Sequence, residues 1–222
     1  METKKVEWQL VILVCSIIII MIMGVRQSLG LFLEPITNFM NSGKEFFSFA
    51  IGVQAIIWGL VTFFLGILID KFGPQKILAF GIISFASGIF LMSNPTSEFT
   101  LFSATTLMGF GLGGAGMATM VSIAGKVAPV NKRSLAMGLV AAAASFGQFA
   151  VVLPTMWMNK AFGWETSLIV LASVVIGLLI FLPLLNSTNN KNNSAQDFGN
   201  SLQQTIMVSL REKNYILLIS GF

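Results

Sequence analysis

The sequence has almost none of the residues from which catalytic and metal centres are built. Its 222 residues include no histidine and one cysteine, Cys15. Ser–His–Asp and Cys–His catalysis, His-ligated metals, internal disulfides and cysteine metal clusters are therefore excluded. Charged residues make up 10% of the chain and hydrophobic residues 55%, whereas a soluble domain has about 25% charged residues. We expect a membrane protein that is not an enzyme and holds no metal or cofactor.

The few charges divide the chain into long uncharged stretches. Six of these stretches hold 18 to 27 residues each, and about 20 apolar residues cross a bilayer as an α-helix. The first is completed if its helix continues through Arg26. Apolar runs such as 16–23 do not alternate with polar residues, as the strands of a β-barrel would. We predict an all-α polytopic membrane protein with helices near 10–33, 46–69, 77–93, 100–124, 135–157 and 166–185.

The basic residues are distributed unevenly between the predicted loops. With the N-terminus inside, ten lie in inside segments, Lys44 and Lys160 lie outside, and Arg26 lies within a helix. Because Lys and Arg concentrate in short cytoplasmic loops, we expect both chain ends in the cytoplasm and the protein in the plasma (inner) membrane. The first apolar run is too long for a signal peptide, and no small-residue cleavage site follows it.

The composition changes after the sixth predicted helix. Residues 1–9 are predicted as a cytoplasmic N-terminus and residues 10–185 as a six-helix bundle. Residues 186–214 are predicted as a cytoplasmic linker, because 186–200 are rich in Asn and Ser. Residues 215–222 begin a new apolar run that is too short to cross a bilayer, and we interpret it as the start of a truncated seventh helix.

The segment between predicted helices 2 and 3 carries the most specific pattern in the chain. Gly73 and Pro74 predict a tight turn with Pro74 at a helix start, so helices 2 and 3 are antiparallel neighbours. The segment resembles the signature loop of the major facilitator superfamily, Gly-x-Leu-x-Asp-(Arg/Lys)-x-Gly-(Arg/Pro)-(Arg/Lys). Gln75 replaces the usual basic residue, and a basic residue follows one place later. The matching residues are Gly66, Leu68, Asp70, Lys71, Gly73 and Pro74, with Lys76 as the displaced basic residue.

The resemblance implies a fold of two six-helix halves joined by a cytoplasmic loop. This chain would be the N-terminal half, and the missing C-terminal half would be its partner. The resemblance also implies that the signature loop latches the halves in the outward-facing state, with Asp70 as the central charge. Similarities at 24–35, 133–138 and 162–164 favour the oxalate/formate antiporter-like or monocarboxylate transporter-like members.

Three polar side chains inside the predicted helices are candidate substrate contacts. A charge within a membrane costs at least about 2.5–3.5 kcal/mol, so Arg26 should face a cavity or a partner. There its guanidinium could bind a carboxylate through two hydrogen bonds; the alternative is that it reaches the outer interface. Gln54 is expected at a similar height, and Gln148 near the midplane, where transporter sites cluster. Each glutamine is equally consistent with a hydrogen bond between helices.

Glycines are concentrated in predicted helix 4. The run 109–116 matches Gly-x-Gly-x-x-Gly, but a dinucleotide site needs a preceding strand and a following helix. Here the glycines lie inside one apolar helix, which excludes that interpretation. Gly109 and Gly113 are spaced for close helix packing, and Gly147 gives helix 5 a similarly smooth face.

Transport is the function that these patterns favour. We expect a secondary transporter that moves a small organic solute, a carboxylate anion, by rocker-switch alternating access. Its partners would be the lipid bilayer and the anion, with no nucleic acid. The alternatives are a non-transporting membrane sensor or assembly subunit, which would bind without flux, and transport of a drug, sugar or nitrate on the same fold. An intramembrane aspartyl dyad is excluded, because Asp70 and Asp197 both lie in predicted loops.

Overall fold

The structure of the protein is a computed structural model. It describes the backbone of residues 8–191 and the side chains of that range except those of 67, 70, 71 and 186–191. The predicted seventh helix at 215–222, most of the predicted linker at 186–214, and residues 1–7 of the predicted N-terminus lie outside the described residues.

Residues 8–191 are helical and contain no β-strand, which confirms the all-α prediction. Short 3₁₀ segments at Leu29–Phe32 and Val130–Lys132, and a longer one at Leu178–Lys191, accompany the α-helices. The α-helices are α1 (Trp8–Ser28), α2 (Leu33–Met40), α3 (Lys44–Phe72), α4 (Pro74–Met92), α5 (Glu98–Ala115), α6 (Met117–Val127), α7 (Arg133–Ala150), α8 (Val152–Phe162) and α9 (Trp164–Gly177).

Within residues 8–191, six helical segments are long and apolar enough to cross a membrane, as predicted. The first continues to Met40, seven residues beyond its predicted end. We number them as span 1 (Trp8–Met40), span 2 (Lys44–Gly66), span 3 (Pro74–Met92), span 4 (Glu98–Val127), span 5 (Val130–Phe162) and span 6 (Trp164–Leu185).

Four spans are interrupted, and local sequence explains the interruptions of spans 1, 4 and 5. Span 6 changes from α-helix to 3₁₀ helix at Leu178, and Pro183 lies within its 3₁₀ segment. In span 1 a 3₁₀ segment precedes Pro35, whose ring nitrogen cannot donate the hydrogen bond that would continue the α-helix. Span 5 breaks at Val151, three residues before Pro154, for the same reason. Span 4 breaks at Gly116, where any Cβ would collide with the carbonyl oxygen of Leu112. Each break leaves an irregular piece of backbone inside a long apolar segment.

Two glycine turns of one residue each join successive spans. Gly73 links α3 to α4 with φ 84° and ψ 153°, and Gly163 links α8 to α9 with φ 83° and ψ 163°. Both angles lie in a region that only glycine occupies without strain. Each glycine follows a phenylalanine, Phe72 or Phe162. The turns lie at opposite ends of the bundle, which we call the Gly73 end and the Gly163 end.

Span 4 is the centre of the bundle. Its first helix, α5, packs against α3 and α4, and its second helix, α6, packs against α7 and α1. In span 4, 67% of the most apolar 18-residue stretch is buried. In the corresponding stretches of spans 2 and 5, only 17% and 28% are buried. Spans 2 and 5 therefore present most of their surface to lipid or to another protein.

Candidate functional site

A cleft of about 400 Å³ opens between spans 1 and 2. Its polar groups come from both spans, and its remaining wall is mainly apolar. The side chains or backbone of nine residues line it: Arg26, Gln27, Leu29, Gly30, Leu33, Phe47, Ser48, Ile51 and Gln54. The cleft therefore combines one cation with uncharged polar and apolar surface, as small-molecule sites do.

Arg26 lies deep in span 1. At 1.5 Å per residue it is about 27 Å from Trp8 and about 21 Å from Met40 along the helix, far from both ends of the span. Its side chain is half-buried, and no described carboxylate lies within 4.0 Å of it. Arg26 lines the cleft between spans 1 and 2, and its depth relative to the bilayer interface stays a prediction.

Gln54 faces Arg26 across the cleft from α3. Its side chain is 1% exposed, and its amide nitrogen Nε2 has no hydrogen-bond partner among the described residues. Leaving a buried polar group unpaired costs about 1–3 kcal/mol. A ligand in the cleft that accepts a hydrogen bond from this nitrogen would remove that cost.

Trp58 completes this region, and the sequence patterns did not point to it. The guanidinium carbon of Arg26 lies over the indole, 4.8 Å from the ring centroid. Trp58 follows Gln54 by one helical turn, so both side chains lie on the same face of α3. The spacing from Gln54 was available in the sequence, but the rotation of α3 relative to α1 was not.

Gln148 does not belong to the cleft. It lies on α7, where its side chain is exposed, and it is absent from the residues that line the cleft. The structure therefore brings together two of the three polar residues that were predicted as substrate contacts.

The predicted latch residues lie around the Gly73 turn. Gly66 is exposed on α3, with nothing within 4 Å of a Cβ built on it, and Lys76 is exposed on α4. Pro74 is the first residue of α4. Asp70 and Lys71 lie in the last turn of α3. Their side chains are not among those that the structure describes, so the role of their charges stays a prediction. Gln75 donates a hydrogen bond to the carbonyl oxygen of Leu182.

The three glycines predicted for helix packing lie where two backbones approach closely. A Cβ at Gly109 would lie 2.9 Å from the carbonyl oxygen of Gln54, and one at Gly113 would lie 2.6 Å from the Val61 side chain. A Cβ at Gly147 would lie 2.5 Å from the Cα of Ile20. The absence of a side chain at Gly109 therefore allows a close approach to the backbone of Gln54, which lines the cleft.

The described part of the chain contains no candidate metal site. No group of three or more His, Cys, Asp or Glu side chains there could hold a metal ion. The described residues contain six helical segments that are long and apolar enough to cross a membrane, as in a multi-pass helical membrane protein, and Arg26 lines a cleft between two of them. The chain belongs to the class of helical membrane bundles that have a polar site between their helices.

Comparison with known proteins identifies the family. The model of the Major Facilitator Superfamily matches residues 13–222, so the chain belongs to this superfamily. It is 26% identical over 189 residues to the uncharacterized MFS-type transporter YcxA of Bacillus subtilis (strain 168), covering 81% of this chain and 45% of YcxA. It is 29% identical over 127 residues to the agnestins efflux protein AgnL12 of Paecilomyces divaricatus, covering 56% of this chain and 27% of AgnL12.

The chain thus spans less than half the length of these two relatives. Membership of the superfamily supports membrane transport in general and points to a transporter rather than an enzyme. The oxalate/formate antiporter-like or monocarboxylate transporter-like branch is not among the matches described above, and it stays a prediction.

Proposed function

We propose that this chain forms the N-terminal half of a secondary transporter that carries a small organic anion across the plasma membrane. The anion is a carboxylate, and the cleft between spans 1 and 2 is this half's part of its binding site. Transport proceeds by alternating access, in which two halves rock around a substrate held between them.

One observation carries the proposal: Arg26 and Gln54 line the same cleft, no described carboxylate lies within 4.0 Å of Arg26, and the buried amide nitrogen of Gln54 has no hydrogen-bond partner among the described residues. Both groups are hydrogen-bond donors, and a carboxylate is an acceptor that can receive two parallel hydrogen bonds from a guanidinium. A charge within the membrane is costly unless it has a partner or a wet cavity. An anionic ligand satisfies both groups at once, whereas a cation or a neutral donor does not.

A second six-helix bundle is the proposed protein partner. The open surfaces of spans 2 and 5 support this, as does the share of the relatives' length that the chain covers. The distribution of Lys and Arg supports a cytoplasmic Gly73 end and an external Gly163 end.

Ligand binding by the purified chain in lipid nanodiscs tests the site. The probes are radiolabelled formate, acetate, oxalate and benzoate, with benzamide as the neutral analogue of benzoate. We expect at least one carboxylate to bind, benzamide not to bind, and Arg26→Gln to weaken binding at least tenfold. Arg26→Lys keeps the charge but loses the paired donors, so it should give an intermediate affinity. Failure of all four anions to bind the wild-type protein would contradict the proposal.

Flux measurements separate transport from sensing. We expect the 222-residue chain alone to bind anion in proteoliposomes without net uptake, because half of the cavity wall is missing. A version extended by the six-helix half of a superfamily relative should restore uptake that depends on Arg26. Binding that never leads to flux in any extended version would favour a membrane sensor or assembly subunit instead.

Export is the second candidate direction. One relative is named as an efflux protein, and the same cleft could load its ligand from the cytoplasm. Counterflow in vesicles of both orientations would distinguish export from import.

A further inference from the structure

Trp58 touches the one cation of the cleft. The centroid of its ring lies 4.8 Å from the guanidinium carbon of Arg26, which lies over the ring. A guanidinium is planar, with an aromatic-binding face and five N–H donors around its edge. Contact through the face is electrostatic attraction to the ring. It leaves the N–H donors of Arg26 free for a ligand.

The indole nitrogen of Trp58 lies close to the break in span 4. A Cβ at Gly116 would lie 3.3 Å from the indole nitrogen Nε1, so the ring sits close to the backbone between α5 and α6. No side chain fits at Gly116, because its Cβ would collide with the carbonyl oxygen of Leu112. The indole therefore has the Arg26 guanidinium over its ring and the backbone of Gly116 close to its nitrogen.

We propose that Trp58 is a positioning residue that holds the Arg26 guanidinium with its donor edge available to the cleft. An arginine side chain has many rotamers, and fixing it in the empty site lowers the entropy that binding would otherwise cost. Trp58 also gives the buried charge a favourable contact while the cleft is empty. This inference rests on the proposed function, because it concerns how the anion-binding arginine is held.

A first experiment tests the contact without any ligand. In the chain with Trp8, Trp157 and Trp164 replaced by Phe, Trp58 is the only tryptophan and reports its own surroundings. Arg26→Gln should shift the Trp58 emission maximum and change its lifetime. Lys132→Gln is the matched control, because Lys132 also lies over an aromatic ring, that of residue 8, which is Trp in the wild-type protein and Phe in this background, so its removal should leave Trp58 emission unchanged. An Arg26→Gln spectrum identical to that of the parent would overturn the contact.

A second experiment measures benzoate and acetate binding to variants of the full chain in nanodiscs. Trp58→Leu should raise the Kd about 3- to 30-fold, equivalent to about 0.7–2 kcal/mol. Trp58→Phe keeps an aromatic face and should retain most of the affinity. Trp157→Leu is the control, because Trp157 is exposed on α8 and contacts Phe162 instead.

A double-mutant cycle distinguishes positioning from a general structural effect. On the Arg26→Gln background, Trp58→Leu should cause no further loss of affinity, since there is no guanidinium left to hold. An unchanged Kd for Trp58→Leu alone, or equal losses on both backgrounds, would overturn the positioning role and leave the proposed function intact. If no carboxylate binds the wild-type chain, the proposed function fails, and this inference fails with it.

Discussion

The side-chain nitrogen Nε2 of Gln75 donates a 2.7 Å hydrogen bond to the carbonyl oxygen of Leu182. The bond ties the first turn of α4 to the end of span 6, between residues that are 107 positions apart in sequence. Gln75 occupies the place where the superfamily signature usually has a basic residue. In this chain that position therefore contributes a specific contact within the bundle.

Gln75→Leu should lower the free energy of unfolding by about 1 kcal/mol, because the carbonyl of Leu182 loses its side-chain donor. Thermal unfolding of the purified protein in detergent measures the change. Gln148→Leu is the control, since Gln148 is exposed and has no hydrogen bond to lose in the described structure. Equal stability of the two variants would show that the Gln75 bond contributes nothing.

Gln54→Leu should have opposite effects on stability and binding. Removing an unpaired buried amide should raise the stability of the empty protein by about 1 kcal/mol. The same change removes a donor from the cleft, so carboxylate affinity should fall. Unfolding without ligand and benzoate binding are measured on one preparation. A loss of both stability and affinity would indicate that Gln54 has a structural partner instead.

Gly147→Ala should destabilise the contact between α7 and α1 by about 1–3 kcal/mol, because the added methyl group collides with the backbone of Ile20. Gly138 lies on the same helix with nothing within 4 Å. Gly138→Ala should therefore leave stability unchanged or raise it slightly through better helix propensity. Comparison of the two unfolding midpoints tests the close approach.

Gly163→Ala should lower stability by about 1–3 kcal/mol through its backbone alone. Its φ of 83° disfavours any residue with a side chain, although the space around it is open. Gly177→Ala is the matched control, because Gly177 also has open space but lies in α9. If both variants unfolded at the same temperature, the positive φ would carry no energetic cost.

Cysteine labelling tests the proposed orientation of the chain. Cys15 is fully buried, so the wild-type protein should not react with a membrane-impermeant maleimide. Lys44→Cys, close to the Gly163 end, should react in intact cells, and Lys76→Cys, close to the Gly73 end, only after permeabilisation. Both lysines are exposed. The reverse labelling pattern would place the N-terminus outside.

Sequence reasoning predicted the six spans because charges are scarce and lie near helix ends. It did not predict the interruptions at 29–32, Gly116 and Val151, since a break depends on local backbone geometry as well as on composition. Arg26 and Gln54 were expected at similar heights, and the structure places both in one cleft.

The sequence did not show how each helix is rotated about its own axis, and this rotation decides which side chains meet. Rotation decides that Trp58 meets Arg26, and helix placement decides that Gln148, which is exposed on α7, does not line the cleft. The rotation is set by packing between helices, including the close approaches at Gly109 and Gly147. A single sequence gives the spacing along each helix, but it does not give these angles.

The Gly73 and Gly163 turns have a mechanical consequence. Gly73 and Gly163, with φ of 84° and 83°, leave a single residue between the two helices that each of them joins. The ends of spans 2 and 3 that meet at Gly73, and the ends of spans 5 and 6 that meet at Gly163, should therefore move together. Bending during a transport cycle would then be expected within the interrupted helices of spans 1, 4, 5 and 6. Arg26 lies in span 1, and Trp58 lies close to the break in span 4. Ligand binding at Arg26 and bending of these two spans would therefore involve the same few residues.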